Sequence, residues 1–234
     1  MLVSWVRLRQ IALVAHDRDA VVAELHDAFG LEVAFEDPGV ATFGLVNAVL
    51  PVGNQFVEVV APTREGTAGG RQLERLGGDG GYMVICHTDD QPAVRARADE
   101  LGVRVAFEHD DDGYRIMQLH PADTGGSFLE IDLQPGGEDP GGPWTPAGPD
   151  WQRARRTDVV DGIAGVTVRS VDPDATARRW ADLTGCELDG RVLELDGATV
   201  TFVEGELDSL VAVALTGPSP IEPVTIAGVE FTGA

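Results

Sequence analysis

Two glutamates lie in the middle of predicted strands, where a carboxylate can move a proton or bind a cation. Glu130 belongs to residues 118–132 (QLHPADTGGSFLEID), which favour strand, turn and strand because proline, aspartate and glycine separate two extended segments. Side chains alternate along a strand, so Glu130 faces away from Leu129 and Ile131. Such an acid is either solvated on an outer face or part of an enclosed site.

The same alternation gives the strand faces of a second acid and an amide. Glu58 shares one face of its strand with Phe56, and Gln10 lies on the face of the first strand opposite Ile11. If either glutamate is enclosed, burial raises the pKa of its carboxyl toward the range of a general base.

Three segments with one shared pattern position these residues. They begin at residues 10, 83 and 165, and each predicts a short apolar strand, an aspartate-rich helix start, a helix and a closing glycine. Strands follow each helix, so the first two segments predict βαβββ units. The strands predicted in these units are 41–46, 48–52 and 55–61, then 103–109, 114–120 and 127–133.

The rest of the chain predicts a shortened second copy. The third segment is followed by strands at 192–195 and 198–203, and another strand at 210–215 opens a fourth unit. In that unit residues 218–223 stand in place of a helix, and 224–232 predict one closing strand.

Residues 135–154 are rich in proline and glycine and predict a linker, with Trp144 and Trp151 docking onto a domain surface. We therefore expect a complete domain at 1–134 and a degenerate domain at 155–234.

Charge and cysteine content exclude several classes of function. The formal net charge is −22, which repels nucleic-acid phosphates and anionic membranes. No apolar run approaches the about 18 residues of a membrane span, and the first residues lack a signal-peptide pattern. Cys86 and Cys186 form no disulfide framework. We expect a cytoplasmic protein with a small-molecule partner and without nucleic-acid or membrane partners.

The paired βαβββ units resemble the vicinal-oxygen-chelate superfamily, which includes glyoxalases, methylmalonyl-CoA epimerases, extradiol dioxygenases and antibiotic-resistance proteins. The local match is to the glyoxalase and epimerase branch, in which a phrase HP-x-x-x-GG-x-x-x-E forms the last strands, as residues 120–130 do here. The resemblance implies an α+β fold in which paired units form a cup-shaped mixed sheet, followed by a degenerate copy.

The superfamily holds a divalent metal inside the cup, on side chains from the first and last strand of each unit. The resemblance places these ligands at Gln10, Glu58, Met83 and Glu130. Met83 departs from the usual histidine, and a thioether is a poor ligand for a hard ion. The implied metal site is therefore Gln10, Glu58 and Glu130, which suits Mg²⁺, Mn²⁺ or Ca²⁺ and more weakly Zn²⁺ or Ni²⁺. No nucleotide cofactor is expected.

Six further side chains are expected to contact the substrate, and one expected base is missing. In the epimerases a second carboxylate lies at the position that matches Thr42, so two-face epimerisation lacks a partner here. His87 lies four residues beyond Met83 on one strand face and is expected at the mouth of the cup. The expected substrate-binding residues are Phe56, Met83, His87, Gln118, His120 and Phe128.

Two functions of different classes stay open. The first is a metal-assisted lyase or isomerase acting on a small oxygenated substrate through an enolate-like intermediate, with Glu130 or Glu58 moving the proton. The second is a metal-free protein that binds and sequesters a small molecule, as resistance members of the superfamily do. The retained acids favour the first function and Met83 favours the second. The shortened fourth unit leaves a sheet edge that a second copy could complete, so a homodimer is expected.

Overall fold

The computed structural model describes residues 4–234 as two seven-stranded sheets with helices packed on them. The strands are β1 (Val6–Val14), β2 (Leu45–Val52), β3 (Gln55–Pro62), β4 (Gly80–Thr88), β5 (Val105–Asp111), β6 (Tyr114–Leu119), β7 (Phe128–Asp132), β8 (Gly162–Ser170), β9 (Leu188–Asp189), β10 (Val192–Leu195), β11 (Ala198–Glu204), β12 (Ser209–Thr216), β13 (Val224–Ile226) and β14 (Val229–Gly233). The helices are α1 (Arg18–Phe29), α2 (Ala68–Leu76), α3 (Gln91–Glu100), α4 (Pro121–Thr124) and α5 (Pro173–Thr184), with short 3-10 helices at Pro38–Phe43, Thr145–Ala147 and Trp151–Arg153.

The first sheet joins two units of the predicted kind through their opening strands. Its strand order is β2-β3-β1-β4-β7-β6-β5. Strand β1 pairs parallel with β3 and antiparallel with β4, and β4 pairs parallel with β7. Each unit therefore places its last strand beside its first, which confirms the paired βαβββ architecture. We call the concave face of this sheet the N-terminal cup.

The second sheet repeats this arrangement in shortened form. Its order is β13-β14-β12-β8-β11-β10-β9, with β12 parallel to β14 and antiparallel to β8. The expected single strand over 224–232 is instead the hairpin of β13 and β14. Ala227 and Gly228 take φ values of 48° and 68° between these strands, which is the geometry of a tight hairpin turn.

Aspartates begin the main helices as the sequence predicts. Asp17, Asp90 and Asp172 each accept a hydrogen bond from the backbone N–H three residues ahead. Such caps satisfy N–H groups that have no partner within the helix, and each contributes about 1 kcal/mol. Gly30 ends α1 with a φ of 69°, a conformation that glycine adopts without strain.

One predicted strand of the first unit is replaced by a 3-10 helix. The pattern predicts a strand over 41–46, but the chain forms the helix Pro38–Phe43 and β2 begins only at Leu45. Asp37 caps this helix by accepting from the N–H of Gly39. Leu45 and Val46 of the expected strand belong to β2, and ahead of the 3-10 helix a single bridge joins Phe35 to Val49.

One apolar core joins the two sheets. Ile11 of β1 shares a buried cluster with Val168 of β8 and Phe202 of β11. Strands β4 and β12 also approach closely at Gly81. A Cβ added there would lie only 2.1 Å from the carbonyl oxygen of Leu210. The division into 1–134, 135–154 and 155–234 stays a prediction, with residues 1–3 outside the described part. Within residues 4–234 no helix is both long and apolar enough to cross a membrane.

The contact at Gly81 predicts a test of how the sheets pack. Gly81→Ala should lower the free energy of unfolding by about 1–3 kcal/mol or more, because the added methyl group meets backbone that cannot move aside. Gly78→Ala is the control, since a Cβ there meets nothing within 4 Å, and it should change stability by less than about 0.5 kcal/mol. Urea unfolding of both variants measures the difference; equal stabilities would contradict the packing described.

Candidate functional site

A chain of hydrogen bonds closes the floor of the N-terminal cup. Asn47 Nδ2 donates to Glu58 Oε1 at 2.7 Å, and Gln10 Nε2 donates to Glu58 Oε2 at 2.9 Å. Trp144 Nε1 in turn donates to Gln10 Oε1 at 2.8 Å. All four side chains are buried. Protein donors therefore occupy both carboxyl oxygens of Glu58 and the carbonyl oxygen of Gln10.

Trp144 reaches this floor from the segment that was expected to be a linker. The sequence predicts that Trp144 and Trp151 dock onto a domain surface, and in the structure each is 1% exposed, so both indoles are buried inside the cup. Trp144 stacks on Phe56 with ring centroids 6.4 Å apart, and Trp151 meets the same ring edge-on at 4.9 Å. The proline and glycine content of 135–154 indicates a flexible linker. The burial of two indoles outweighs that flexibility and holds the segment against the cup. We call residues 135–154 the strap.

A buried arginine of β1 holds the strap in place. Arg9 is 1% exposed, and its Nη1 donates to the carbonyl oxygens of Asn54 and, at 2.6 Å, of Pro140. Its guanidinium carbon lies 5.3 Å from the ring centroid of Trp144, within the range of a cation–π contact. Burial and the neighbouring Arg7 lower the pKa of Arg9 to about 10, so the guanidinium keeps its charge at neutral pH.

The predicted metal ligands do not fit a divalent cation in this arrangement. The indole N–H points at the Gln10 oxygen and two amide groups point at Glu58, so an ion would have to displace all three donors. Met83 adds only a thioether within an apolar cluster. Among residues 4–234, no group of three or more His, Cys, Asp or Glu side chains is placed to hold an ion. The assignment of a cation to Gln10, Glu58 and Glu130 stays a prediction.

Glu130 has different partners from Glu58. Gln118 of β6 donates through Nε2 to Glu130 Oε2 at 2.7 Å, because the two residues are paired directly across the sheet. Asp132 follows two positions along β7 and accepts from the hydroxyl of Tyr114 at 2.6 Å. Two buried carboxyl groups therefore lie side by side on one strand face.

Burial raises the pKa of the carboxyl groups in the cup. It raises the pKa of Glu130 to about 7, although the Gln118 amide acts in the opposite direction. Burial and the charge of Glu130 raise the pKa of Asp132 well above its ordinary value. Burial also raises the pKa of Glu58, against the two amides that bind it. With a pKa of about 7, Glu130 can gain or lose a proton near neutral pH, as a general base must.

A cavity of about 670 Å³ opens at the mouth of the cup. Gln118, Phe128, Tyr82 and Phe107 are among its lining residues. Glu130 is 5% exposed and lies just beneath this lining, bonded to Gln118 and two positions beyond Phe128. Burial and the nearby glutamate charges raise the pKa of Tyr82 to about 12, so its hydroxyl remains a hydrogen-bond donor at neutral pH.

Three of the six expected substrate-binding residues line this cavity, namely Gln118, His120 and Phe128. His120 also caps α4, since its Nδ1 accepts from the N–H of Ala122 at 3.2 Å. The sequence predicts a turn here, and the structure adds one short helix at Pro121–Thr124 because this cap satisfies its first N–H group.

The other three expected residues lie deeper in the cup. Phe56 and Met83 belong to the apolar cluster around Trp144. His87, expected at the mouth, is instead 2% exposed and packs on Trp144 at 5.6 Å between centroids. Its Nε2 accepts from the N–H of Gln134, and burial, Arg9 and Arg7 lower the pKa of His87 to about 3. A neutral histidine held in this way supports the floor and does not face the cavity.

Sequence reasoning missed several residues of the site. Asn47 was missed because it falls in the gap between the strands predicted at 41–46 and 48–52, whereas in the structure it lies within β2. Asp132 carried a usable signal, because its spacing of two from Glu130 puts both acids on one face. Trp144 had no such signal, because no local sequence pattern relates an indole in the strap to Gln10 of the first strand.

The indole–amide contact predicts a specific loss on removal. Trp144→Phe leaves the Gln10 carbonyl oxygen buried without its donor, so it should cost about 1–3 kcal/mol beyond the loss of packing. Trp180→Phe is the matched control, because buried Trp180 Nε1 has no hydrogen-bond partner among the described residues. Equal destabilisation of the two variants in urea unfolding would show that the hydrogen bond contributes nothing.

Comparison with solved structures places this geometry among known folds. A variant of methylmalonyl-CoA epimerase from Streptomyces coelicolor, in complex with 2-nitronate-propionyl-CoA, is 28% identical over 56% of this chain and 98% of its own, with a TM-score of 0.50. A methylmalonyl-CoA epimerase in complex with methylmalonyl-CoA and NH4+ is 27% identical over 56% of this chain and 95% of its own, also with a TM-score of 0.50. A hypothetical protein from Staphylococcus aureus matches 98% of both chains at 14% identity and a TM-score of 0.69, which shows the fold of both halves.

Curated protein sequences give no significant match. The sequence model of the glyoxalase-like domain matches residues 11–184, which covers most of the chain, from the first strand to the end of α5. The chain therefore belongs to the glyoxalase-like domain family, within the vicinal-oxygen-chelate superfamily.

Proposed function

We propose that this protein catalyses proton transfer at a carbon next to a carbonyl group, as an isomerase or lyase acting on a small oxygenated substrate. The observation that carries the proposal is the position of Glu130. Its pKa of about 7 and its hydrogen bond to Gln118 of the cavity lining support a general base at this place. The similarity to methylmalonyl-CoA epimerases supports an isomerase.

In the proposed step a substrate carbonyl enters the cavity between Tyr82 and Phe128. The carboxylate of Glu130 removes a proton from the adjacent carbon, the C–H bond breaks, and its electron pair moves onto the carbonyl oxygen. The Tyr82 hydroxyl donates to this enolate oxygen, because its pKa of about 12 keeps it protonated. Glu130 then returns the proton to a different carbon of the substrate, which completes an isomerisation, or the intermediate expels a leaving group from the neighbouring carbon, which completes an elimination.

The arrangement favours one-face chemistry over two-face epimerisation. Thr42 is exposed in the 3-10 helix and carries no acid. Glu58, the other candidate base, has both oxygens bound by Asn47 and Gln10. Glu130 alone suffices for a lyase, or for an isomerase that returns the proton on the same face but to another carbon. For this reason methylmalonyl-CoA serves below as a probe of exchange and not as the proposed substrate.

No step is routed through a metal. Divalent metals serve many members of the superfamily, but the floor of this cup is bonded to the strap. Elemental analysis of protein purified without chelator tests the predicted cation. A stoichiometric metal that is absent from Glu130→Ala would restore the metal-assisted mechanism of the sequence-based hypothesis.

A second candidate is sequestration of a small molecule without chemistry. The apolar walls at Phe43, Phe107 and Phe128 favour it, because a closed floor and an aromatic mouth suffice to hold an apolar ligand. Binding without any proton exchange would select this function over the first.

We expect the wild-type protein to exchange a carbon-bound proton of acyl thioesters or 2-oxo acids with D₂O, as followed by NMR with methylmalonyl-CoA in the panel. The rate should rise with pH through about 7, because the protonated carboxyl of Glu130 is no base. Glu130→Gln should lower the rate by at least about 100-fold. Glu24→Gln, an exposed change on α1, should leave it unaltered. Undiminished exchange in Glu130→Gln would rule out this base.

Two broader expectations are carried forward as proposals. We propose a reducing, cytoplasmic setting, which the unpaired thiols of Cys86 and Cys186 support. We also propose a homodimer, in which a second copy would pair with the open edge of the second sheet at β13. A monomer in light scattering would end the second proposal.

A further inference from the structure

Two arginines of α2 lie beside the cavity, and neither forms an ion pair with a carboxylate of residues 4–234. Arg71 and Arg75 are one helical turn apart and both belong to the cavity lining. Arg71 Nη1 donates to the carbonyl oxygen of Gly66 at 2.8 Å. Arg75 donates to the side-chain oxygen of Gln72 at 2.8 Å and to the carbonyl oxygen of Asp208 at 2.6 Å. Every one of these acceptors is uncharged, so both guanidinium charges remain unpaired.

The two arginines belong to a chain with a net charge of −22. Some surface arginines pair with acids, as Arg104 does with Asp123 at 2.7 Å, whereas Arg169 donates only to the carbonyl oxygen of Leu207. One acid, Asp208, also lines the cavity, and its side chain accepts from the N–H of Val171 at 3.0 Å. The charged side chains of the cavity lining are therefore two arginines and one aspartate, on a chain that is strongly negative as a whole.

The C-terminal sheet takes part in this arrangement. Asp208 precedes β12, and its carbonyl oxygen holds the guanidinium of Arg75 from the first sheet. Gln72 also donates to the carbonyl oxygen of Gly81 at 3.0 Å, which fixes the helix against β4 beside β12. The degenerate copy thus positions one wall of the cavity, although no predicted catalytic residue lies in it.

We propose that Arg71 and Arg75 bind an anionic group, a carboxylate or a phosphate, on the molecule that enters this cavity. Guanidinium groups recognise both anions with paired N–H donors. The aromatic walls at Phe43, Phe107 and Phe128 would contact the uncharged remainder of the ligand. The inference rests on the proposed function in one respect only, that this cavity receives the ligand. It does not depend on proton transfer by Glu130.

The test compares three probes of similar shape: phenylacetate, phenyl phosphate and the neutral phenylacetamide. Calorimetry with the full-length protein should show that at least one anion binds about tenfold more tightly than the amide, and that this preference shrinks at high salt. The better anion tells which source, carboxylate or phosphate, the natural ligand carries. Arg71→Ala and Arg75→Ala should each weaken anion binding by about threefold or more, and leave amide binding unchanged.

The control variant is Arg178→Ala, an exposed change on α5 that alters net charge equally but lies outside the cavity lining. If it weakens anion binding as much as Arg71→Ala, the effect is long-range charge and the subsite is overturned. Equal affinity for anion and amide, or no binding of any probe, overturns it as well. Deuterium exchange in the same samples reports separately on Glu130, so the proton-transfer proposal can fail while the subsite stands, and the reverse.

Discussion

The organisation of the site depends on one charge buried away from water. Arg9 lies on the inner side of β1, packed against the rings of Phe56, Trp144 and Trp151, and it binds backbone carbonyl oxygens instead of an acid. A guanidinium can be buried in this way because aromatic faces and carbonyl dipoles replace part of its hydration. The strap supplies the carbonyl oxygen of Pro140. The burial of Arg9 therefore depends on the docked strap. In turn, the hydrogen bond from Arg9 to the carbonyl oxygen of Pro140 helps to hold the strap in place.

The two glutamates of the cup are held differently. With Trp144 on the floor, the oxygen atoms of Gln10 and Glu58 are bonded to protein donors. Glu130 lies under the cavity lining, is bonded to Gln118 of that lining, and has its pKa raised to about 7 by burial. The carboxyl group that can titrate near neutral pH therefore lies beneath the opening at which the arginines of α2 also stand.

Much of the fold could be predicted from the sequence because its signals are local. Strand parity placed Gln10, Glu58 and Glu130 on inner faces, and aspartate caps marked the helices. The features that failed depend on contacts distant in sequence. Trp144 meets Gln10 across more than half the chain, and no periodicity in a proline-rich segment indicates such a partner. The strand expected at 41–46 was wrong for a different reason. Our interpretation gave the alternating pattern more weight than the capping residue Asp37, which begins a 3-10 helix here.

The docked strap also bears on the order in which the parts of the cup are synthesised. The indole that bonds to the floor belongs to a segment placed after the last strand of the first sheet. Both βαβββ units are therefore synthesised before the segment that covers their inner face. A growing chain exposes that face to solvent until the strap has followed.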